Sequence, residues 1–426
     1  MEEKLHRRII NAWAMYDWAN SAFATTIMAA VLPPFFSKVA GSTLPGNLAT
    51  VYWGYTATVA MLIIAVSAPI LGAIADYTGS KKRFLAGFAI MGILFTIMLY
   101  FVSQGDWLKA IVFFILGNVG FAGSGIFYDS LLPHIARPDE IDQVSARGYA
   151  LGYLGGGLLL ALNLAWIMFP HTFGFPNAEI ATRASFVSVG VWWAVFSIPL
   201  FRLVPEPPMN THQAPGLNPV VAGFRRLLHT MREVRRYRQL ALFIVAFWLY
   251  NDGIGTIIKM ATIYGSEIGI GQTDLIGALL MIQFVGVPFA FFFGYLARRL
   301  GTKPSILLGL AVYALISIGG YFMTVAWHFW LLAFLVGMVQ GGTQALSRSL
   351  YGAMVPKSRS AEFFGFYNVS SKFAGIVGPF VFALVGQLTG SSRLSIVTLI
   401  FFFIAGSLLL TLVDEKEGIR IAQAEA

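Results

Sequence analysis

Apolar residues run through this chain in blocks of about 20–28, divided by short polar breaks. At 1.5 Å of rise per residue, each block is long enough to cross a hydrocarbon layer of about 30 Å. The pattern predicts twelve spanning helices, at roughly 10–37, 50–75, 83–103, 107–133, 143–169 and 182–204, then 239–264, 273–297, 304–325, 328–353, 361–388 and 392–413. One polar connection is long, from Pro205 to Arg238. It opens as the coil-forming PEPPMNTHQAPG and continues with Arg225, Arg226, Arg232, Arg235, Arg236 and Arg238, predicted as an amphipathic helix on the membrane surface whose charge fixes topology.

Polar residues inside the blocks carry the functional signal. The first block, NAWAMYDWANSAFATTIMAAVLPPFF, places Asp17, Asn20 and Ala24 at i, i+3 and i+7, one small polar face that Tyr16, Asn20 and Phe23 overlap. An acid at membrane depth is costly, so it points to a water-filled cavity or, failing that, to a polar helix–helix contact. The seventh helix offers Asn251 and Asp252, with Lys259 two turns outward; the eighth offers Gln283; the tenth Gln340, Gln344 and Arg348; the eleventh Asn368 and Lys372. Rise per residue puts Asn20, Asp252 and Lys372 near mid-depth and Asp17 somewhat inward. These groups suit a zwitterionic solute, with Lys372 and Lys259 for a carboxylate and Asp17 or Asp252 for an ammonium. They equally suit internal ion pairs that break and re-form during a conformational cycle, and either acid could carry a coupling proton.

Composition agrees with a membrane protein: 57 % of residues are hydrophobic and 12 % charged, against about 25 % charged in soluble domains. The net charge of +9 does not indicate nucleic acid, because Lys and Arg sit in the short breaks. With the N-terminus in the cytoplasm, 22 of the 29 fall on the inner side and four outside (Lys38, Lys109, Arg183, Arg393), while Lys259, Arg348 and Lys372 lie within helices. Both termini are therefore expected in the cytoplasm. Met1 to Arg8 is charged and the first apolar run exceeds a signal h-region, so no cleavable signal is expected. The chain has no cysteine, which excludes disulfides and thiolate chemistry. Its six His have no metal-ligand spacing, and His134 and His328 lie near helix ends, where an interfacial position is expected. No nucleophile–base arrangement occurs, and Gly152, Gly155, Gly156 and Gly157 read as close helix packing, since they follow no strand and lack the P-loop Lys-Ser/Thr. Neither an enzyme nor a bound cofactor is expected.

The chain also repeats itself. Gly72-Ala-Ile-Ala-Asp76-Tyr-Thr-Gly79-Ser-Lys81 returns as Gly294-Tyr-Leu-Ala-Arg298-Arg-Leu-Gly301-Thr-Lys303, Asp129-Ser130-Leu131 as Arg348-Ser349-Leu350, and Tyr16-Asp17 more weakly as Tyr250-Asn251-Asp252. Such similar shifts imply two pseudo-symmetric six-helix bundles, 1–204 and 239–426 (the latter with a short tail), joined by the basic linker 205–238. Parallel halves with a midplane site between them are a transporter architecture.

The loop GAIADYTGSKKRF resembles that between the second and third helices of the major facilitator superfamily, with Gly72, Asp76, Gly79, Lys81, Lys82 and Arg83 in its pattern. The resemblance implies that Asp76 locks the cytoplasmic side when the carrier faces outward, against the start of the eleventh helix near Ala361. The second copy has Arg298 in place of the acid, so its gate need not be equivalent. YDWANSAFATT, FYDSLLPHIA and RGYALGYLGGGLLL are similar to the vacuole-effluxer-like branch, whose fungal members export amino acids from the vacuole. Asp129 and Arg348, near the inner ends of the fourth and tenth helices, are expected as gate or charge-relay residues with Gly72, Gly79, Lys81, Arg83 and Arg147; for Asp129 a salt bridge to Arg83 or Arg147 is the simplest expectation. The expected function is alternating-access secondary transport of a small polar solute, an amino acid among the candidates, with a proton as the candidate coupling ion, in a multi-pass bacterial inner-membrane monomer surrounded by lipid. A lipid or lysolipid carrier and a non-transporting receptor on the same fold are the alternatives.

Overall fold

The computed structural model describes residues 2–45, 48–207, 236–373 and 377–424; most of the predicted surface helix of the linker, and the side chain of Lys372, lie outside the described set. The first bundle contains α1 (Glu2–Ala40), α2 (Leu48–Thr78), α3 (Lys81–Met98), α4 (Trp107–Ile135), α5 (Ile141–Met168) and α6 (Ala178–Leu203). The second contains α7 (Arg238–Glu267), α8 (Gln272–Leu300), α9 (Thr302–Tyr321), α10 (Ala326–Met354), α11 in two pieces (Ser360–Phe373 and Val377–Thr389) and α12 (Ser392–Thr411). A short helix, α13 (Glu415–Ala424), follows. Among the described residues ten helices are long and apolar enough to span a membrane; the shorter apolar stretches Leu62–Thr78 and Val377–Thr389 belong to α2 and α11.

Each half has its own hydrophobic core. One runs from Ile10 to Val204 around Trp13, Phe127 and Trp193; the other runs from Tyr237 to Val413 around Phe243, Tyr313 and Tyr351. Exposed apolar side chains such as Val66, Ile90, Phe401 and Leu408 cover the outside, as acyl-chain solvent requires. Both termini lie on one face: Arg137 in the α4–α5 turn donates to Glu3 at 3.1 Å, and Lys303 at the start of α9 donates to the Val413 carbonyl at 2.8 Å.

Local sequence shapes the elements that frame the centre. Pro33 and Pro34 lack the N–H groups that would close the α-helical ladder ahead of them, and α1 widens to π-helical spacing over Phe23–Val31. Thr25 Oγ1 donates to the carbonyls of Ser21 and, across the helix pair, Gly156. Gly79 turns the chain between α2 and α3 at φ +58°, a left-handed conformation that only glycine adopts freely. Gly72 lets α2 lie against the α11 start so closely that a Cβ there would overlap the Ala361 carbonyl.

Candidate functional site

A cavity of about 380 Å³ lies between the halves. Its walls come from α1, α4 and α5 on one side and α7, α8, α10 and α11 on the other. Along α1 the lining runs from Asp17 to Ala29, so the cavity extends about 18 Å away from the terminal face at the helical rise. Of the expected substrate residues, Asp17, Asn20, Gln283, Gln340, Gln344 and Asn368 line it, joined by Asp129 and Arg348.

Arg348 forms the floor. Its Nη1 donates to Asp17 Oδ2 on α1 and to Asp129 Oδ1 on α4, both at 3.1 Å; Nε donates to Ser145 Oγ and Nη2 to the Ser145 carbonyl on α5, both at 2.9 Å. Aromatic rings surround the guanidinium, with Tyr149 at 4.5 Å, Trp13 at 5.0 Å and Tyr128 at 5.7 Å from ring centroid to cation. Tyr128 also donates to Asp17 Oδ2 at 2.8 Å. The side chain is thus fixed in position and orientation by the opposite half, with its own residue 2 % exposed. Asp129 pairs with this arginine and not with Arg83 or Arg147, correcting the simplest expectation: Arg83 is exposed beside α2 and Arg147 is half-buried on α5.

Four expected cavity residues lie elsewhere. Asp252 is buried within the second bundle, where Oδ2 accepts from the Gly378 N–H at 2.9 Å. The repeat explains this: with Tyr250 matched to Tyr16, Asp252 takes the place of Trp18, which turns into its own half to stack on Trp192. Asn251 takes the Asp17 place but donates to the Ser371 carbonyl at 3.4 Å. Tyr16 is fully buried against Tyr128. Lys259 is exposed, while its neighbour Ile258 lines the cavity. Lys372 falls outside the described side chains.

Between the floor and the terminal face the halves are held by two corners. At the first, Asp76 accepts from the backbone N–H groups of Ala361 (3.2 Å) and Glu362 (2.8 Å) at the start of α11, and receives Lys81 Nζ at 2.9 Å. Lys81 also donates to Ser360 Oγ at 2.7 Å. At the second corner, the residue matching Asp76 is Arg298, in the last turn of α8, and it is exposed. The acid there is Asp142, in the first turn of α5, which accepts from Thr302 Oγ1 at 2.7 Å and from Ser349 Oγ. Asp142 belongs to no motif by itself, and the side chains that cage Arg348 read as ordinary core aromatics, so sequence reasoning missed both.

A polar chamber between two six-helix halves, floored by ion pairs and closed at one face, defines a transporter of the major facilitator type. The chain belongs to the family described as "Vacuole effluxer Atg22 like", which matches residues 48–423. It is 39 % identical over 417 residues, 97 % of either chain, to YxiO of Bacillus subtilis, described as an uncharacterized MFS-type transporter. It is 25 % identical over 452 residues to autophagy-related protein 22 of Coccidioides immitis, covering 87 % of this chain and 73 % of that one. Among solved structures, the proton:xylose symporter XylE matches with a TM-score of 0.75 at 14 % identity, over 100 % of this chain and 99 % of that one. The human organic anion transporter MFSD10 matches with 0.72 at 14 % identity, over 95 % and 99 %. At such identity these two establish the fold alone.

Proposed function

We propose that the chain carries a small solute bearing an ammonium group, an amino acid in the first place, by alternating access, and that a proton is coupled to the movement at Asp17 and Asp129. One observation carries this reading: two carboxylates share a single guanidinium nitrogen at the cavity floor, both at 3.1 Å. With both acids ionised, the group holds one negative charge in excess. A surplus charge at membrane depth is costly, and either a proton or a substrate ammonium neutralises it. The amides of Asn20, Gln283, Gln340, Gln344 and Asn368 supply donors and acceptors for a carboxylate or further polar groups. A second, apolar chamber of about 140 Å³, walled by residues such as Leu160, Ile282 and Val336, shares Thr25, Ala29, Ile258, Gln283 and Gln340 with the first and offers room for a side chain. The charge bias of the loops supports cytoplasmic termini and a plasma-membrane location.

A thermal-shift screen of the purified protein against amino acids, peptides, sugars and lysolipids tests the substrate class, because a ligand of the native state raises its apparent stability. Stabilisation by lysolipids and by no amino acid overturns it in favour of a lipid carrier. Proteoliposome uptake of the stabilising solute under imposed pH gradients tests the coupling, and flux indifferent to the gradient in both directions removes the proton from the scheme.

A further inference from the structure

Three cations follow one another at the start of α3, and they take different partners. Lys81 is 4 % exposed and is held in the first corner by Asp76 and Ser360. Lys82 turns toward α6, where its Nζ donates to the Phe201 carbonyl at 3.1 Å and to the Val204 carbonyl; its backbone N–H donates to Glu206 at 3.0 Å. Arg83 is exposed, and among the described residues it has no ion pair and no hydrogen bond. It lines a groove of about 540 Å³ whose walls come from α2, α3 and the turn between them, apart from the cavity between the halves. The groove changes character along its length. Thr78, Ser80 and Arg83 line the end at the terminal face, and Phe88 and Met91 line the other, about 12 Å from Arg83 along α3 at the helical rise. Gly87 lies between them, and a Cβ there would meet nothing within 4 Å.

We propose that this groove binds one anionic phospholipid from the leaflet on the side of the termini, with Arg83 on its phosphate and an acyl chain laid from Gly87 to Met91. The inference rests on the chain spanning a membrane and not on the identity of the solute. Charge selects the headgroup. A guanidinium without a protein acid matches a phosphate diester, to which it offers two parallel N–H groups. Glu206 does not take that place, because it accepts the Lys82 backbone N–H instead. A choline headgroup carries its own cation beside the phosphate and competes with the arginine, whereas a phosphoglycerol headgroup leaves the negative charge to Arg83. The polarity gradient selects the orientation: the cation lies at the terminal face and the apolar walls lie deeper, the order in which a lipid of that leaflet presents its phosphate and its chain. The basic linker is a poor occupant by the same reasoning, since Arg225, Arg226, Arg232, Arg235, Arg236 and Arg238 give it the sign of Arg83. A lipid that fits the folded groove also raises the apparent stability of the protein, because the unfolded chain has no groove.

The test titrates the purified full chain in a neutral detergent with phosphatidylglycerol or phosphatidylcholine of identical acyl chains. Native mass spectrometry counts the lipid retained, and melting temperature reads its effect. The parent protein is expected to retain one phosphatidylglycerol about 5-fold more tightly than phosphatidylcholine, the attraction of one arginine to an anionic headgroup. Arg83→Gln is expected to remove that preference, whereas Arg298→Gln, at an exposed arginine of the second half, is expected to keep it. Gly87→Leu puts a side chain where the acyl chain would lie, and is expected to weaken phosphatidylglycerol about 5-fold or more without lowering the melting temperature of the lipid-free protein. Arg83 and Gly87 are both exposed, so the two variants leave the core intact and read the site independently. Equal retention of the two lipids by the parent protein, a preference that survives Arg83→Gln or is lost equally in Arg298→Gln, or an unaltered affinity in Gly87→Leu overturns the proposal. Stabilisation by inorganic phosphate equal to that by phosphatidylglycerol reduces the groove to a plain anion site, and so also overturns it.

Discussion

Asp129 and Arg348 occupy the same position of the two sequence repeats, 219 residues apart, and they touch: Arg348 Nη1 donates to Asp129 Oδ1 at 3.1 Å. In two halves related by an approximate two-fold axis, equivalent residues meet only close to that axis. Two acids or two bases there would repel, whereas opposite charges turn the symmetric position into an attraction between halves. The chain thus breaks its own symmetry at the cavity floor, and Asp17 then adds the second acid from α1.

Removing the cation leaves two acids facing each other in a cage built for a guanidinium. Arg348→Gln is expected to lower unfolding stability by about 3–5 kcal/mol, and adding Asp129→Asn to recover a large part of that loss. Denaturation in detergent measures both. Exchanging the two charges (Asp129→Arg with Arg348→Asp) is not expected to restore transport, because Asp17, Ser145 and the three aromatic rings remain arranged for a cation on α10.

At the first corner, Asp76→Asn weakens a helix cap that joins the two halves across the closed face, and with it an ion pair to Lys81 within the first half. The expected outcome is an unfolding loss of about 1 kcal/mol with a roughly 10-fold shift of the population toward the open face, and flux reduced more than stability. Cysteine pairs across the ends of α4 and α10 report the population by crosslinking; unchanged crosslinking together with unchanged flux contradicts the role.

The second corner carries the same chemistry with the acid moved to the opposite partner. Asp142→Ala is expected to open the terminal face much as Asp76→Asn does, since Thr302 and Ser349 lose their common acceptor. Arg298→Ala, at the position where the repeat would place the acid, is expected to change stability by no more than about 0.5 kcal/mol and leave flux unaltered. Parallel crosslinking of the two variants separates the relocated acid from the repeat position.

Within the cavity, Gln340→Ala, Gln344→Ala and Asn368→Ala are each expected to weaken solute binding by about 1 kcal/mol, roughly 5-fold in Kd, with little change in the stability of the solute-free protein. Asp252→Ala is expected to do the reverse: it frees the buried Gly378 N–H, costs about 1–3 kcal/mol of stability and leaves the solute affinity in place. Titration of solute against melting temperature distinguishes the two classes.

The spanning helices and the turn between α2 and α3 were legible in the sequence, because each rests on a local quantity. Block length against bilayer thickness defines a span, and the identity of Gly72, Asp76 and Gly79 marks a turn wherever it occurs. Half of the cavity was legible too, since Asp17, Asn20, Gln283, Gln340, Gln344 and Asn368 are polar groups for which lipid offers no partner. Helical phase was not. Asp252 and Asn251 are adjacent, yet successive residues on a helix point about 100° apart, and only the packing of α7 against α11 decides which of them meets the Gly378 N–H and which the Ser371 carbonyl. Partner choice was equally non-local. A carboxylate on α4 has arginines within 50 residues in sequence, but Asp129 takes Arg348 because the repeat axis brings those two helices together at that level. Composition and spacing decide what enters the membrane; the docking of two separately packed halves decides which charges find each other, because an ion pair depends on a few ångströms of distance that no sequence interval encodes.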